Sequence, residues 1–186
     1  MIFPLIYSCL YKAEYKDSEI SLKAIRFEDK DLIREWRNEQ IDILRQKHIL
    51  TADEQDSYFL NQVKSLFFEE NPKQILFSIF ENDLFIGYGG LVHINWKDKN
   101  AEISFLLDTK KNTEKEYLKL FEKFLELIQK VAIDLNLHKI FSYGYDIEKY
   151  RFYPLIKLNF EQEVLLKNHI KIRGNMYDVK IYSKIL

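Results

Sequence analysis

Glu102 is the residue of this chain whose setting most needs a chemical explanation. It stands in residues 101–107, AEISFLL, an otherwise apolar run with the alternation of a strand. Successive strand side chains point to opposite faces, so Glu102, Ser104 and Leu106 share one face, and Ala101, Ile103, Phe105 and Leu107 the other. A carboxylate half-buried in a sheet costs free energy unless it is paired or protonated. The pattern alone leaves two readings open, a solvated face on which Glu102 meets water and an acid kept for proton chemistry. No metal is expected, because His48, His93, His138 and His169 lack ligand spacing. Cys9 is the lone cysteine and forms no internal disulfide.

The elements that must position Glu102 follow from turn and cap signals. Residues 84–93 and 101–107 read as antiparallel strands joined by the polar turn Lys97-Asp98-Lys99-Asn100, and residues 74–80 pair with the first of them around Asn82-Asp83. Alternation at 20–27 predicts a first core strand. Asp29 is placed to cap a helix carrying Leu32, Ile33 and Trp36, which ends around 37–40. Thr51-Ala52-Asp53-Glu54 is a capping box opening a second helix through Tyr58, Phe59 and Val63, stopped by Asn71-Pro72. Thr113 and Glu116 form another box. It begins a long amphipathic helix with Tyr117, Leu120, Phe121, Phe124, Leu127, Ile128 and Val131 on one stripe. A strand at 139–145 follows, then a short helix at 148–158, in which Pro154 fits only in the first turn. Strands 160–172 and 177–185 close the chain around Arg173-Gly174-Asn175. The order β-α-α-β-β-β-α-β-α-β-β predicts an α/β domain with a mixed sheet.

Composition narrows the function classes. A chain of 186 residues builds a core without disulfides, and 47% hydrophobic with 31% charged residues is ordinary for a globular protein. The net charge of −1 offers no nucleic-acid surface and no polybasic membrane anchor. The apolar N-terminus lacks the basic region and cleavage site of a signal peptide, and no run is long and uncharged enough to span a bilayer. A cytoplasmic location is expected. Residues 1–19 read as an N-terminal extension, an extra strand or docking arm, ahead of one domain at 20–186. Exposed apolar segments mark interfaces, so a homodimer is one expected arrangement.

Order and motifs together resemble the GNAT superfamily of acyl-CoA-dependent N-acetyltransferases, in particular the branch of ribosomal-protein and amino-sugar acetyltransferases. The resemblance rests on Trp36-Arg37-Asn38, residues 86–91 (IGYGGL), residues 101–105 (AEISF), residues 135–140 (LNLHKI) and Tyr177-Asp178-Val179. It implies a mixed, mostly antiparallel central sheet flanked by helices. Its fourth and fifth strands, here 101–107 and 139–145, would split into a V that holds acetyl-CoA as co-substrate. It further implies transfer of the acetyl group to a primary amine by direct attack, with Glu102 as general base. Phe105, Leu106 and Leu107 would meet the pantetheine arm.

The sequence departs from this family at the pyrophosphate loop. The family's glycine-rich signature turns backbone N–H groups onto phosphates, whereas residues 108–116 read DTKKNTEKE, without glycine. Lys110, Lys111, Asn112 and Thr113 stand there instead, and Asp146 occupies the place of a family Asn. The family's proton-donating Tyr is missing in strict register, and Tyr153 is its nearest substitute. The resemblance places the acceptor near Arg37, Asn38, Arg45, His93 and Trp96. Arg45 offers a planar fork for an anion, and Trp96 a stacking face. A small-molecule amine is the expected partner, with a nucleotide-linked amino sugar preferred. Protein N-termini, or a non-catalytic binding or assembly module on the same fold, stand as alternatives.

Overall fold

The structure, a computed structural model, describes residues 2–186. Eight strands form one sheet in the order β1-β2-β3-β4-β5-β6-β8-β7. They are β1 (Glu14–Lys16), β2 (Ile20–Ala24), β3 (Ile75–Glu81), β4 (Leu84–Asn95), β5 (Asn100–Leu107), β6 (Lys139–Tyr145), β7 (Glu161–Ile172) and β8 (Asn175–Ile185). Antiparallel neighbours are joined by short turns where the sequence permits them. Between β3 and β4, Asn82 and Asp83 both adopt left-handed φ, 49° and 63°, as a two-residue hairpin turn requires. Only β5 and β6 run parallel. A parallel pair needs a long crossover, which the helix α4 (Glu114–Asp134) supplies.

That crossover helix covers one face of the sheet. Its predicted stripe from Tyr117 to Val131 is buried, and the Phe105 ring lies 4.7 Å from Phe121 and 4.8 Å from Phe124. Alternation turns Tyr88 and Ser104 to the opposite face, where α1 (Lys30–Glu39) and α2 (Ala52–Tyr58) pack. Thr51 opens α2 with the full reciprocal capping box. The helix then runs through a π-helical turn, Phe59–Val63, into α3 (Lys64–Leu66). Pro154 sits in the first turn of α5 (Tyr153–Lys157). Among the described residues no helix is long and apolar enough to cross a membrane.

Two local expectations change. The strand predicted to reach residue 27 stops at Ala24, and Phe27–Asp29 forms a 3-10 turn. Asp29 precedes α1 but caps no helix N–H. Its buried carboxylate accepts from Arg26 Nε at 2.8 Å and Ser78 Oγ at 2.6 Å. At the N-terminus β1 pairs with β2 at the sheet edge, while Phe3, Tyr7 and Leu10 bury themselves in the core. The Tyr7 hydroxyl donates to the Leu76 carbonyl at 2.9 Å and accepts from the Leu76 N–H at 3.1 Å.

The sheet opens at one place. β5 and β6 pair at Asn100↔Lys139, Ala101↔Ile140 and Glu102↔Phe141, and nowhere beyond. From there β5 stays with β4 as far as Gly87↔Leu107, while β6 stays with β8 as far as Tyr145↔Val179. The result is a V whose apex is Glu102.

Candidate active site

Glu102 is only 6% exposed, and both its oxygens are engaged. Oε1 pairs with the Arg45 guanidinium, and Oε2 lies 2.9 Å from His93 Nδ1. The solvated-face reading is thereby overturned, because a buried carboxylate persists when paired and hydrogen-bonded. Arg45 arrives from the connection after α1 and stacks over Tyr143, 4.8 Å from the ring centre. His93 arrives through a break in the β4–β5 register between Val92 and Asn95, where its own φ is 50°. Such bulges re-aim side chains. Here the extra residue brings the imidazole onto its strand neighbour's acid.

Beyond Glu102 the V encloses a cavity of about 180 Å³, lined by Ile103, Phe105, Tyr143, Gly144, Phe152 and neighbours. The Asp108 N–H bonds to the Ile86 carbonyl at 2.8 Å. By antiparallel alternation, Leu106 directs its backbone to β4, while Ile103, Phe105 and Leu107 direct theirs into the gap. Of the three residues expected to meet a pantetheine arm, Phe105 therefore keeps an open edge. Leu106 is turned away, and the Leu107 carbonyl accepts from Gln40 Nε2 at 2.8 Å.

The segment expected to form a lysine cradle for phosphates is built differently. Lys111 is drawn to Glu81 at 2.9 Å and to Glu116 at 3.5 Å. Thr113 accepts from the Glu116 N–H and caps α4. Asp146 is ion-paired with Lys180 at 2.6 Å and does not line the V. Lys110 is exposed in the turn that Asp108 caps. Asn112 does stand at the mouth, donating to Gln40 Oε1 at 3.1 Å and accepting from Arg151 Nη2 at 3.4 Å. Sequence reasoning missed Arg151. It lies 4.5 Å over the Tyr117 ring, bonds Glu148 at 2.6 Å, and lines both the V and its mouth. Burial pushes the Tyr117 phenol up to about 12 despite that guanidinium. The only local signal was a cation three residues after an acid, as in Glu148 and Arg151.

On the α1–α2 face a second pocket, of about 300 Å³, meets the V at Val92 and Ser104. Arg37 lines it, donating to Tyr88 Oη at 2.7 Å and Gln46 Oε1 at 3.0 Å. Tyr58, Gln74 and Glu54 complete its polar wall. Three expected residues lie elsewhere. Asn38 clamps the connection before α2 by bonding the Leu50 N–H and carbonyl. Trp96 donates to the Pro72 carbonyl at 2.9 Å. Tyr153 is 53% exposed and outside the V, since Pro154 starts a helix there that turns Phe152 and Leu155 inward instead. Among the described residues, no group of three or more His, Cys, Asp and Glu side chains is disposed to hold a metal.

Comparison with known proteins agrees with this architecture. Residues 22–181 match the model of the acetyltransferase (GNAT) domain. The spermidine N-acetyltransferase of Vibrio cholerae, solved with CoA and spermine, superposes with a TM-score of 0.76 at 19% identity, covering 91% of this chain and 96% of that one. RimL, a ribosomal L7/L12 alpha-N-protein acetyltransferase solved with coenzyme A, gives 0.75 at 13% identity, covering 100% and 98%. No curated protein matches the sequence. With its family model spanning most of the chain and its sheet opening at Glu102, this protein belongs to the GNAT acetyltransferase family.

Proposed function

We propose that this chain transfers an acetyl group from acetyl-CoA to a primary amine of a small molecule, with a nucleotide-linked amino sugar as the preferred class of acceptor. The observation that carries the reading is the opening of the sheet at Glu102, where the V and the α1–α2 pocket meet. The open edge at Ile103 and Phe105 suits an amide-bearing pantetheine arm, and Arg151 with Asn112 suits a phosphate at the mouth. Bound acetyl-CoA would supply an activated thioester carbon. The chain's own part is to bring an amine to it from the α1–α2 side and to accept the ammonium proton at the Glu102–His93 pair.

The acceptor pocket favours a hydroxyl-rich or anionic molecule over a polyamine. Its cation Arg37 would repel a polycation. Its acid Glu54, with its carboxyl held down at about 2, stays ionised, but its oxygens are already committed to the Thr51 backbone and to His48. A net charge of only −1 also supplies no single-signed field for docking a ribosomal partner.

Calorimetry with acetyl-CoA, followed by thiol-release assays on nucleotide-linked amino sugars, spermidine and peptides with free N-termini, tests the proposal. Binding and turnover with the sugars are expected. Turnover with peptides alone would favour the protein N-terminus alternative. No heat at millimolar acetyl-CoA would leave a non-catalytic module, the alternative that the glycine-free loop favours.

A further inference from the structure

We propose that the atom accepting the amine's proton is Nε2 of His93, and that Glu102 is a positioning residue that holds the ring. The inference rests on the acetyl-transfer reading above. Glu102 is poorly placed to take the proton itself. It is buried, and both oxygens are committed, one to the Arg45 guanidinium and the other to His93. A proton on it would break the ion pair with Arg45 that its burial requires.

His93 has the complementary properties. A carboxylate offers only acceptor lone pairs, so the 2.9 Å contact assigns the imidazole proton to Nδ1 and leaves the Nε2 lone pair free in the neutral ring. The side chain is 66% exposed, which lets a captured proton pass to water. Its backbone lies in the left-handed region, φ 50°, at the bulge. A non-glycine residue is uncommon there, and such conformations cluster at functional sites. The groups facing the Glu102–His93 pair are Arg45 from the connection after α1 and Tyr143 and Tyr145 from β6. Burial raises the Tyr145 phenol, keeping it neutral.

In the proposed step Nε2 removes one proton from the substrate ammonium. The freed lone pair forms the C–N bond to the thioester carbon, and the C–S bond breaks. The departing thiolate takes the second nitrogen proton, and the imidazolium returns the first to solvent. The products are the N-acetyl amine, free thiol and one proton.

Nitrogen-15 NMR of the full chain, with His93 assigned by His93→Gln, reads the tautomer without any substrate. The Nδ1–H form is expected, giving way in Glu102→Gln to the Nε2–H form common in free histidine. With the acceptor found above, His93→Gln should lower kcat/KM by about 100- to 10,000-fold. It should also remove the acid limb of the pH profile while acetyl-CoA affinity stays within about twofold. His93→Gly, which tolerates φ 50°, should recover rate on addition of free imidazole. An Nε2–H tautomer in the wild type, or wild-type kcat/KM in His93→Gln, would overturn the proposal alone. Failure of the wild type to bind acetyl-CoA would overturn both it and the transfer reading.

Discussion

Under the proposed function, Arg151 takes the place at the mouth of the V that a glycine-rich loop fills through backbone N–H groups. It presents donors from one planar side chain, already held by Tyr117 and Glu148. A charge-assisted hydrogen bond contributes about 1.5–3 kcal/mol, so Arg151→Ala should weaken acetyl-CoA binding by about 10- to 100-fold. Lysine should restore only part of that, because it lacks the fork and the stacking face. Calorimetry on both variants checks this, and unchanged affinity would remove Arg151 from the phosphate site. Arg45 acts by a different route. Removing it leaves a buried carboxylate with His93 alone, so Arg45→Met should reduce turnover while leaving acetyl-CoA affinity nearly unchanged.

At the level of elements, Gly90 and the α2 cap carry the clearest consequences. A Cβ on Gly90 would lie 2.0 Å from the Ile75 carbonyl oxygen, and its φ of 154° is itself unusual for other residues. β3 and β4 cannot separate without losing their ladder, so Gly90→Ala should cost about 3 kcal/mol, measurable by urea denaturation. The α2 cap is pH-dependent. Glu54 falls from 4.5 unfolded to about 2 folded, through its bonds to the Thr51 backbone, His48 and the Thr51 hydroxyl. A carboxyl lowered on folding contributes stability above its unfolded value and loses it as pH falls through the folded one. Glu54→Gln should therefore melt lower than wild type at pH 6, and the gap should close as pH falls from about 4.5 towards 2. A gap that persists at pH 2 would contradict this assignment.

For the molecule as a whole, the N-terminal arm matters more than its position in the chain implies. Tyr7 stacks on Phe67 at 4.2 Å and bonds both backbone groups of Leu76, a residue that lines the α1–α2 pocket. Tyr7→Phe leaves the Leu76 N–H without its partner, while the Leu76 carbonyl keeps the Ile25 N–H, and should cost about 1–3 kcal/mol. Melting the variant checks it, and an unchanged midpoint would mean the hydroxyl is replaceable. The alternation, caps and turns that define β3 to β5, α2, α4 and the closing hairpin were legible because each signal lies within a few residues of the chain. The same local patterns, taken in order, were enough for the family and for singling out Glu102. The partners of Glu102 were not legible, since Arg45 is 57 residues away and His93 reaches it through a bulge that alternation cannot anticipate. Nor was Arg151 legible, since nothing near it in sequence marks it as the neighbour of Tyr117. Local chemistry thus determined the elements and their order. The tertiary structure alone decided which side chains meet in the V, because that depends on how far β5 and β6 part and on what the connection after α1 lays across the gap.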